Sequence, residues 1–326
     1  MFDNIELMKG AAIIVDKCAG GIKEGEKAVI VTDTNKTWLA DALARVVFER
    51  RGEVILCLMT PRKAHGEDPP VPIVSAMLSA DVVFEPTTFS LTRAESSMKA
   101  AEKGARVVSL PAYEPSMLIS GGLEADFQAQ AKLVDKIAEI FSAGDKATLS
   151  TLLGTNITME FGGRKANTGK GFCEGPGTIC GPPNIEANIS PLEGTANGTI
   201  IADVSVPMPG IGLLSEPIRL SVKDGFIKTM SGGREAKLLE KILKDANDPN
   251  VYNIAELGVG LNPKAKICGI MLEDEGAMGT VHIGIGDNHT SGGIIKAPLH
   301  IDLIISNPTL KIDDKTVIQD GKLTIL

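Results

Sequence analysis

The chain has 326 residues, a net charge of −8 and only 4% aromatic residues. This length predicts two domains, because a single hydrophobic core is seldom that large. The acidic balance and the scarcity of aromatic side chains argue against nucleic-acid binding, which needs basic tracts and stacking platforms. Five scattered cysteines, no secretory signal and no apolar run long enough to span a bilayer predict a cytoplasmic protein with reduced thiols and no membrane association.

The first 144 residues alternate between buried strands and amphipathic helices. Strands are predicted at residues 28–32, 54–59, 81–84 and 106–110, and helices begin near Ile5, Trp38, Thr92 and Leu123. This alternation is typical of an α/β domain with a doubly wound parallel sheet. No G-x-G-x-x-G follows the first strand, so a bound dinucleotide is not expected. The last helix ends at Gly144, where we place the boundary between domains 1–144 and 145–326.

The second half, residues 145–326, consists of short strands separated by glycine and proline turns. Strands are predicted at 156–161, 199–206, 218–222 and 300–305, with one helix at 234–246. Because helical crossovers are few, we expect an α+β domain with a mixed, partly barrel-like sheet. The irregular stretch 162–183 lacks the spacing of a phosphate-binding loop, and we expect it to border the functional site as a flap.

Three of the four histidines, His282, His289 and His300, lie within nineteen residues. His300 and Asp302 are alternate residues of a predicted strand, so both side chains can reach one cation. His282 shares its strand face with two glycines, which leave room for a ligand. Imidazole together with carboxylate favours zinc, iron or manganese, and the sequence therefore predicts a metal site.

Further carboxylates have to come from elsewhere in the second half. Glu256 stands in an apolar segment, and a buried carboxylate needs a cation. Glu186 stands in an uncharged neighbourhood, whereas Glu193 is a weaker candidate that also fits an acidic turn. The acidic run at 273–275 is expected to be a solvated loop.

Five segments of the second half carry a family resemblance. They are EGTANGT at 193–199, DPNVY at 248–252, AELGVG at 255–260, GTVHI at 279–283 and PLHID at 298–302. Together they cover the chain from about Ile179 to Asp314 in the right order. They resemble the aminopeptidase T family of metallopeptidases and its relative, the 2,5-dihydroxypyridine 5,6-dioxygenases.

The resemblance to the peptidases implies two divalent cations (zinc, cobalt or manganese) and a homodimer. The metal ligands that it implies are Glu186, Glu256, His282, His300 and Asp302. His289 stands in the place of a tyrosine that lies close to the reacting centre of the peptidases. This is a departure, because an imidazole can donate a hydrogen bond or transfer a proton but does not reproduce the geometry of a phenol.

The dioxygenases hold a single iron(II) with two histidines and one carboxylate. In this chain the first of these ligand positions is filled by Glu256, and the loop 87–93 has no histidine to shuttle protons. A Glu/His/Asp set carries more negative charge than a two-histidine set. It therefore suits hard or two-metal sites better than an oxygen-activating iron.

We therefore expect a two-metal hydrolase of the aminopeptidase T type, in which a shared water attacks an amide or peptide bond of a small-molecule or short-peptide substrate. Glu186 or Glu256 would act as the general base, and His289 would stabilise the oxyanion or protonate the leaving amine. Arg93 would bind a substrate carboxylate. The alternatives are an iron(II) ring-cleaving dioxygenase and a metal-binding protein without catalytic activity.

Overall fold

A computed structural model describes residues 4–325 of the chain. The helices are α1 (Asn4–Ile13), α2 (Thr37–Glu49), α3 (Val71–Met77), α4 (Glu95–Glu102), α5 (Pro115–Ile119), α6 (Phe127–Ala143), α7 (Arg234–Asp245) and α8 (Met271–Asp274). The first ten strands are β1 (Lys27–Asp33), β2 (Glu53–Met59), β3 (Val82–Glu85), β4 (Arg106–Ser109), β5 (Lys146–Ser150), β6 (Asn156–Glu160), β7 (Asn167–Gly169), β8 (Ile179–Cys180), β9 (Glu186–Ile189) and β10 (Asn197–Ala202). The other ten are β11 (Ser205–Val206), β12 (Gly212–Leu213), β13 (Ile218–Lys223), β14 (Phe226–Ser231), β15 (Ile254–Gly260), β16 (Thr280–Gly286), β17 (His300–Ser306), β18 (Thr309–Ile312), β19 (Lys315–Gln319) and β20 (Lys322–Leu323).

The described residues form two compact units. The first runs up to Phe127 and includes Lys170–Pro183, and the second comprises Gln128–Gly169 and the residues from Asn184 onwards. These units are defined by contacts within the structure. The predicted division into domains 1–144 and 145–326 stays a prediction. Within residues 4–325, no helix is long and apolar enough to cross a membrane.

The first unit is built on a five-stranded parallel sheet with the order β2-β1-β3-β4-β8. Helices α3 and α4 contribute to a hydrophobic core. It also contains Val29 and Val31, which are alternate residues of β1, together with Val83 of β3 and Val107 of β4. Helix α2 packs against β1 and β2, and also against α1. The predicted α/β class of this part is therefore confirmed.

The stretch 162–183 is not the single flap expected from its composition. Part of it, β7, joins a sheet of the second unit, whereas Lys170–Pro183 belongs to the first unit. There Ile179 and Cys180 pair in parallel with β4 and add a fifth strand to the sheet. A two-residue strand has no periodicity of its own, so only tertiary pairing reveals it.

The second unit contains two antiparallel sheets. One has eight strands in the order β14-β13-β10-β6-β5-β18-β19-β20, and the other has seven in the order β12-β11-β17-β16-β15-β9-β7. Among the described residues neither sheet closes into a barrel. The predicted α+β class is confirmed, and its strands are divided between these two open sheets.

Glycines in the seven-stranded sheet let bulky side chains lie across neighbouring strands. Gly258 of β15 pairs with His282 of β16, and Gly284 of β16 pairs with Asp302 of β17. A Cβ atom added to Gly258 would lie 1.9 Å from Nε2 of His282, and one added to Gly284 would lie 2.9 Å from Cε1 of His300. A larger residue at position 258 would displace the ring of His282, and one at position 284 would displace the side chains of Glu256 and His300.

Glu85 is a buried carboxyl group at the end of β3. Its Oε1 accepts a hydrogen bond of 2.5 Å from Ser97, while Oε2 has no partner among the described residues. Burial raises the pKa of Glu85 to about 7, and the nearby hydroxyl groups of Ser97 and Ser109 oppose this shift only in part. The folded protein therefore holds a proton that the unfolded chain releases at a lower pH.

We predict that Glu85 makes the protein less stable at alkaline pH. A raised pKa in the folded state contributes stability that is fully present below the unfolded value and is lost as the pH rises through about 7. In Glu85→Gln, which cannot ionise, the free energy of unfolding relative to wild type should rise by about 2–3 kcal/mol between pH 5 and 8. Urea unfolding at several pH values measures this difference, and a pH-independent difference would contradict the assignment.

We predict that Gly258→Ala destabilises the second unit through its contact with His282. The added methyl group overpacks the sheet and should cost about 2 kcal/mol in the free energy of unfolding. In a His282→Ala background the same change should cost much less, because the ring is gone. Gly175→Ala is the matched control, since a Cβ there meets nothing within 4 Å. An equal cost of Gly258→Ala in both backgrounds would refute the contact.

Candidate metal centre

Four neighbouring strands of the seven-stranded sheet bring the predicted ligands to one face. Glu256 on β15, His282 on β16, and His300 and Asp302 on β17 lie on the face on which Glu186 of β9 pairs with Gly260. Alternate residues of a strand share a face, which explains how His300 and Asp302 both reach the cluster. Four of these five residues are buried, and His300 is partly buried, with a side chain that is 15% exposed.

Glu256 lies between the two imidazoles and turns one oxygen towards each. Its Oε1 is 3.5 Å from Nε2 of His282, and its Oε2 is 3.7 Å from Nε2 of His300. On one side Oε2 of Glu186 is 3.1 Å from Nε2 of His282, and on the other Oδ2 of Asp302 is 3.5 Å from Nε2 of His300. The donors thus form two groups, Glu186–Glu256–His282 and Glu256–His300–Asp302, and within each the possible ligand atoms lie within 4.8 Å of one another.

Hydrogen bonds from outside the cluster fix the orientation of its outer members. Nδ1 of His300 lies 2.7 Å from the backbone oxygen of Asp287 and must donate a proton to it, so Nε2 keeps its lone pair. The amide of Asn188 donates to Oε1 of Glu186, and Asn167 in turn donates to Asn188. These contacts turn Nε2 of His300 and Oε2 of Glu186 towards the centre.

The cluster concentrates buried carboxylates around two imidazoles, and this shifts the pKa values of its members. Burial by itself would lower the pKa of His282, but Glu186, Glu256 and Asp302 outweigh it and raise that pKa well above its usual value. Burial would raise the pKa of Asp302, yet the neighbouring His300 and His282 lower it. A proton on His282 therefore compensates part of the negative charge of these carboxylates.

Glu275 is a member of the cluster that sequence reasoning missed. The acidic run 273–275 was expected to be solvated, and this prediction is wrong, because Glu273, Asp274 and Glu275 are 2%, 0% and 8% exposed. The carboxyl group of Glu275 lies near Asp302, Glu186 and His282, and burial together with the two neighbouring carboxylates raises its pKa well above the usual value. Apolar residues flank the run on both sides, and that was the available signal of burial.

The residues of the cluster fit a divalent cation. Oδ1 of Asp302 and Oε1 of Glu275 are buried and have no hydrogen-bond partner among the described residues, and the buried Oε2 of Glu186 faces Nε2 of His282 at 3.1 Å. Unpartnered buried carboxylate oxygens are costly, and a cation removes that cost. Imidazole nitrogens and carboxylate oxygens are ligands of zinc, manganese and iron(II), so the donor set alone does not choose among them.

Two of the predicted site residues, His289 and Arg93, are not members of this cluster. His289 is exposed in a 3₁₀ turn, His289–Ser291, between β16 and β17. Arg93 belongs to the first unit, in the segment between β3 and α4. Their catalytic and substrate-binding roles stay predictions.

Glu193, the weaker acidic candidate, anchors the connection between β16 and β17. Its Oε1 accepts hydrogen bonds of 2.9 Å from the side chain of Asn288 and from the backbone of Ile294. Its Oε2 pairs with Arg164, which also donates to the backbone oxygen of Gly292. These bonds hold the loop that begins with Asp287, whose carbonyl group orients His300.

Comparison with known proteins identifies relatives along almost the whole chain. The family model described as 2,5-dihydroxypyridine 5,6-dioxygenase (NicX) matches residues 16–325. The 2,5-dihydroxypyridine 5,6-dioxygenase of Pseudomonas putida KT2440 is 27% identical over 256 residues, which are 76% of this chain and 71% of that protein.

Two solved structures share the fold. The 2,5-dihydroxypyridine dioxygenase from Pseudomonas putida KT2440 superposes with a TM-score of 0.83 at 22% identity, over 100% of this chain and 99% of that one. Wild-type AmpT from Thermus thermophilus gives a TM-score of 0.71 at 13% identity, over 98% and 99% of the two chains. The resemblance to both groups is therefore confirmed at the level of the fold.

The expectation of a metallohydrolase of the aminopeptidase T type is wrong. That expectation depended on two departures from the dioxygenases, namely Glu256 in place of a histidine ligand and the absence of a histidine from the loop 87–93. The dioxygenase family model, however, matches almost the whole chain, and the relative found by sequence is a dioxygenase. The physical reason for the error is that the same nitrogen and oxygen donors hold several metals and serve several reactions. The family implies a metal cofactor, and the cluster has the groups to hold one. The chain belongs to the 2,5-dihydroxypyridine 5,6-dioxygenase family.

Proposed function

We propose that this protein is an iron(II)-dependent dioxygenase that opens a hydroxylated pyridine ring. The family match over residues 16–325 carries the proposal, and the relative named for this reaction on 2,5-dihydroxypyridine supports it. The buried cluster of imidazole and carboxylate groups supplies the donors that such an enzyme needs. The substrate would be a small aromatic molecule.

Glu256, His300 and Asp302 are the proposed iron ligands. Nε2 of His300 carries its lone pair because Nδ1 donates to Asp287, and the three donor atoms lie within 4.8 Å of one another. The centre would have one histidine and two carboxylates, so it carries one more negative charge than a two-histidine centre. The predicted ligand roles of Glu186 and His282 stay predictions.

Bound iron(II) supplies the one-electron chemistry by which dioxygen reacts with an aromatic ring. The chain's own contribution beside it is the handling of protons. Nε2 of His282 and Oε2 of Glu186, 3.1 Å apart, form a buried pair in which the carboxylate can accept the proton of a ring hydroxyl group as the substrate binds. Glu256, one of the proposed ligands, lies 3.5 Å from Nε2 of His282 and so connects this pair to the proposed iron site.

We also propose an oligomeric state and a cellular location for the protein. A homodimer in the cytoplasm is what the family resemblance and the free cysteines support. Light scattering of the purified protein measures the oligomeric state directly.

The reaction is tested by oxygen uptake. Protein loaded anaerobically with iron(II) should consume one dioxygen for each 2,5-dihydroxypyridine that loses its aromatic absorbance, and zinc-loaded protein should consume none. An oxygen electrode and absorption spectroscopy measure the two quantities together. Substrate loss without oxygen uptake, or no turnover of hydroxylated pyridines by protein that holds iron, would contradict the proposal.

The ligand assignment is tested by comparing two histidine variants. His300→Ala should weaken iron binding at least about 100-fold, because it removes a proposed ligand. His282→Ala should retain the metal and lower kcat by about 100-fold, because it removes half of the proton-accepting pair. Chelator competition and metal analysis report the affinity, with circular dichroism as the folding control. An equal loss of iron in both variants would refute this division of roles.

A further inference from the structure

Three of the five cysteines, Cys18, Cys173 and Cys180, lie together in the first unit. Sγ of Cys173 is 3.4 Å from Sγ of Cys180. The backbone oxygen of Cys18 accepts a 2.7 Å hydrogen bond from the backbone of Cys173 and lies 3.7 Å from Sγ of Cys180. All three are free thiols, and none belongs to the metal cluster. The proposed ring-opening reaction makes no use of them.

The three thiols differ in their surroundings. Cys18 is completely buried, and burial raises its pKa far above the usual value. Burial likewise raises the pKa of Cys180, and the neighbouring Cys173 adds to that shift. A buried thiol of this kind is unreactive by itself, because the thiolate is the nucleophile.

Cys173 has the surroundings of a reactive thiol. A Cβ atom added to Gly20 would lie 3.5 Å from Nη1 of Arg106 and 3.9 Å from the carbonyl oxygen of Cys173, so both residues lie beside Gly20. The guanidinium group is held there by a hydrogen bond of 2.7 Å to the backbone oxygen of Ala19. The hydrogen bond with Cys180 and, to a lesser extent, the charge of Arg106 lower the pKa of Cys173 against the effect of burial. Among the three thiols, Cys173 therefore supplies a thiolate most readily.

The turn between Cys173 and Cys180 is at the surface. Glu174, Pro176 and Gly177 are exposed, and the two cysteines themselves are 5% and 7% exposed. A disulfide bond is about 2.0 Å long, so the two sulfur atoms have to approach by about 1.4 Å to form one. A short exposed turn can accommodate such a shift, and a molecule as small as hydrogen peroxide can reach a thiol beneath it.

We propose that Cys173 and Cys180 are an oxidation site, at which hydrogen peroxide converts the two thiols into a reversible disulfide bond. Cys173 reacts first, and Cys180 resolves the product. The 3.4 Å contact between the sulfur atoms carries the inference, together with the cationic side chain of Arg106 near Cys173. The inference does not depend on the metal or on the ring-opening reaction, since both cysteines belong to the first unit.

The oxidation has two steps. The thiolate of Cys173 attacks one oxygen of the peroxide, the O–O bond breaks and hydroxide leaves, so that Cys173 becomes a sulfenic acid. The thiol of Cys180 then loses its proton, its sulfur attacks that of Cys173, and the S–O bond breaks with release of a second hydroxide. The two thiol protons and the two hydroxides form two molecules of water. Two thiols are thereby oxidised to one disulfide, and one peroxide is reduced.

The disulfide protects Cys173 from irreversible damage. A sulfenic acid that meets no second thiol reacts with further peroxide to give a sulfinic acid, which thiol reductants do not restore. Because Cys180 is in contact, the sulfenic acid of Cys173 is converted to a disulfide that a reductant such as dithiothreitol returns to two thiols.

Peptide mapping tests the site in the full-length protein, with an iron chelator present to prevent the formation of radicals from peroxide. Trypsin releases the peptide 171–219, which contains Cys173 and Cys180 and no other cysteine. After treatment with peroxide this peptide should accept no iodoacetamide, and after subsequent reduction with dithiothreitol it should accept two. The disulfide should form at least about 10-fold faster than the exposed Cys268 is oxidised, because burial raises the pKa of Cys268 to about 11.

Two variants separate the roles of the thiols, with circular dichroism as the folding control. Cys180→Ser should leave Cys173 as a sulfenic acid that dimedone captures, and dithiothreitol should no longer restore its thiol after excess peroxide. Cys18→Ala is the matched control, because it removes a buried thiol of the same cluster and should leave formation of the disulfide unchanged.

A wild-type peptide that still accepts two iodoacetamide groups after Cys268 has been oxidised would overturn the inference. Loss of the disulfide in folded Cys18→Ala would also overturn it, because the bond would then join Cys18 to one of the other thiols. Full recovery of the Cys173 thiol in Cys180→Ser would show that Cys180 does not resolve the sulfenic acid.

Discussion

The structure of the second unit depends on one constraint, which is that several carboxylates are buried together in a β-sheet beside two imidazoles. Such charge is tolerated only where opposite charge or a shared proton compensates it. The residues around the cluster keep its carboxylates and imidazoles close enough to compensate one another. Glycines make space for the rings, Asn188 and the Asp287 carbonyl orient the outer donors, and Glu193 holds the loop that carries this carbonyl.

Features that depend on residues close together in sequence could be predicted. The alternation of His300 and Asp302 indicated a shared strand face, and the apolar surroundings of Glu256 indicated burial. The side chains of all three residues do lie in one cluster. Many of the longer strands and helices were predicted for the same reason, since their periodicity is local. Strand β15 was recognised only as an apolar segment, and the single strand predicted at 199–206 is divided between β10 and β11, which belong to different sheets. The short helices α3 and α5 were not predicted, because seven and five residues are too few to show a helical period.

Features set by tertiary contacts could not be predicted. Glu275 looks like part of a solvated acidic run, and only the packing of the next two residues, Gly276 and Ala277, against Asn184 and Gly260 indicates that it is buried. Strand β8 likewise depends on pairing with β4, far away in sequence. The reaction type was misjudged for a related reason. Ligand chemistry limits the choice of metal but leaves the reaction open, whereas the match along the whole chain distinguishes the families.

We propose that Glu256, His300 and Asp302 of the second unit hold a metal ion. Anomalous diffraction at the iron absorption edge, from crystals grown and loaded with iron(II) under argon, tests it most directly. The account predicts one iron peak in contact with these three side chains. A peak bound elsewhere on the chain, or no peak in crystals that contain the folded protein and saturating iron, would contradict it.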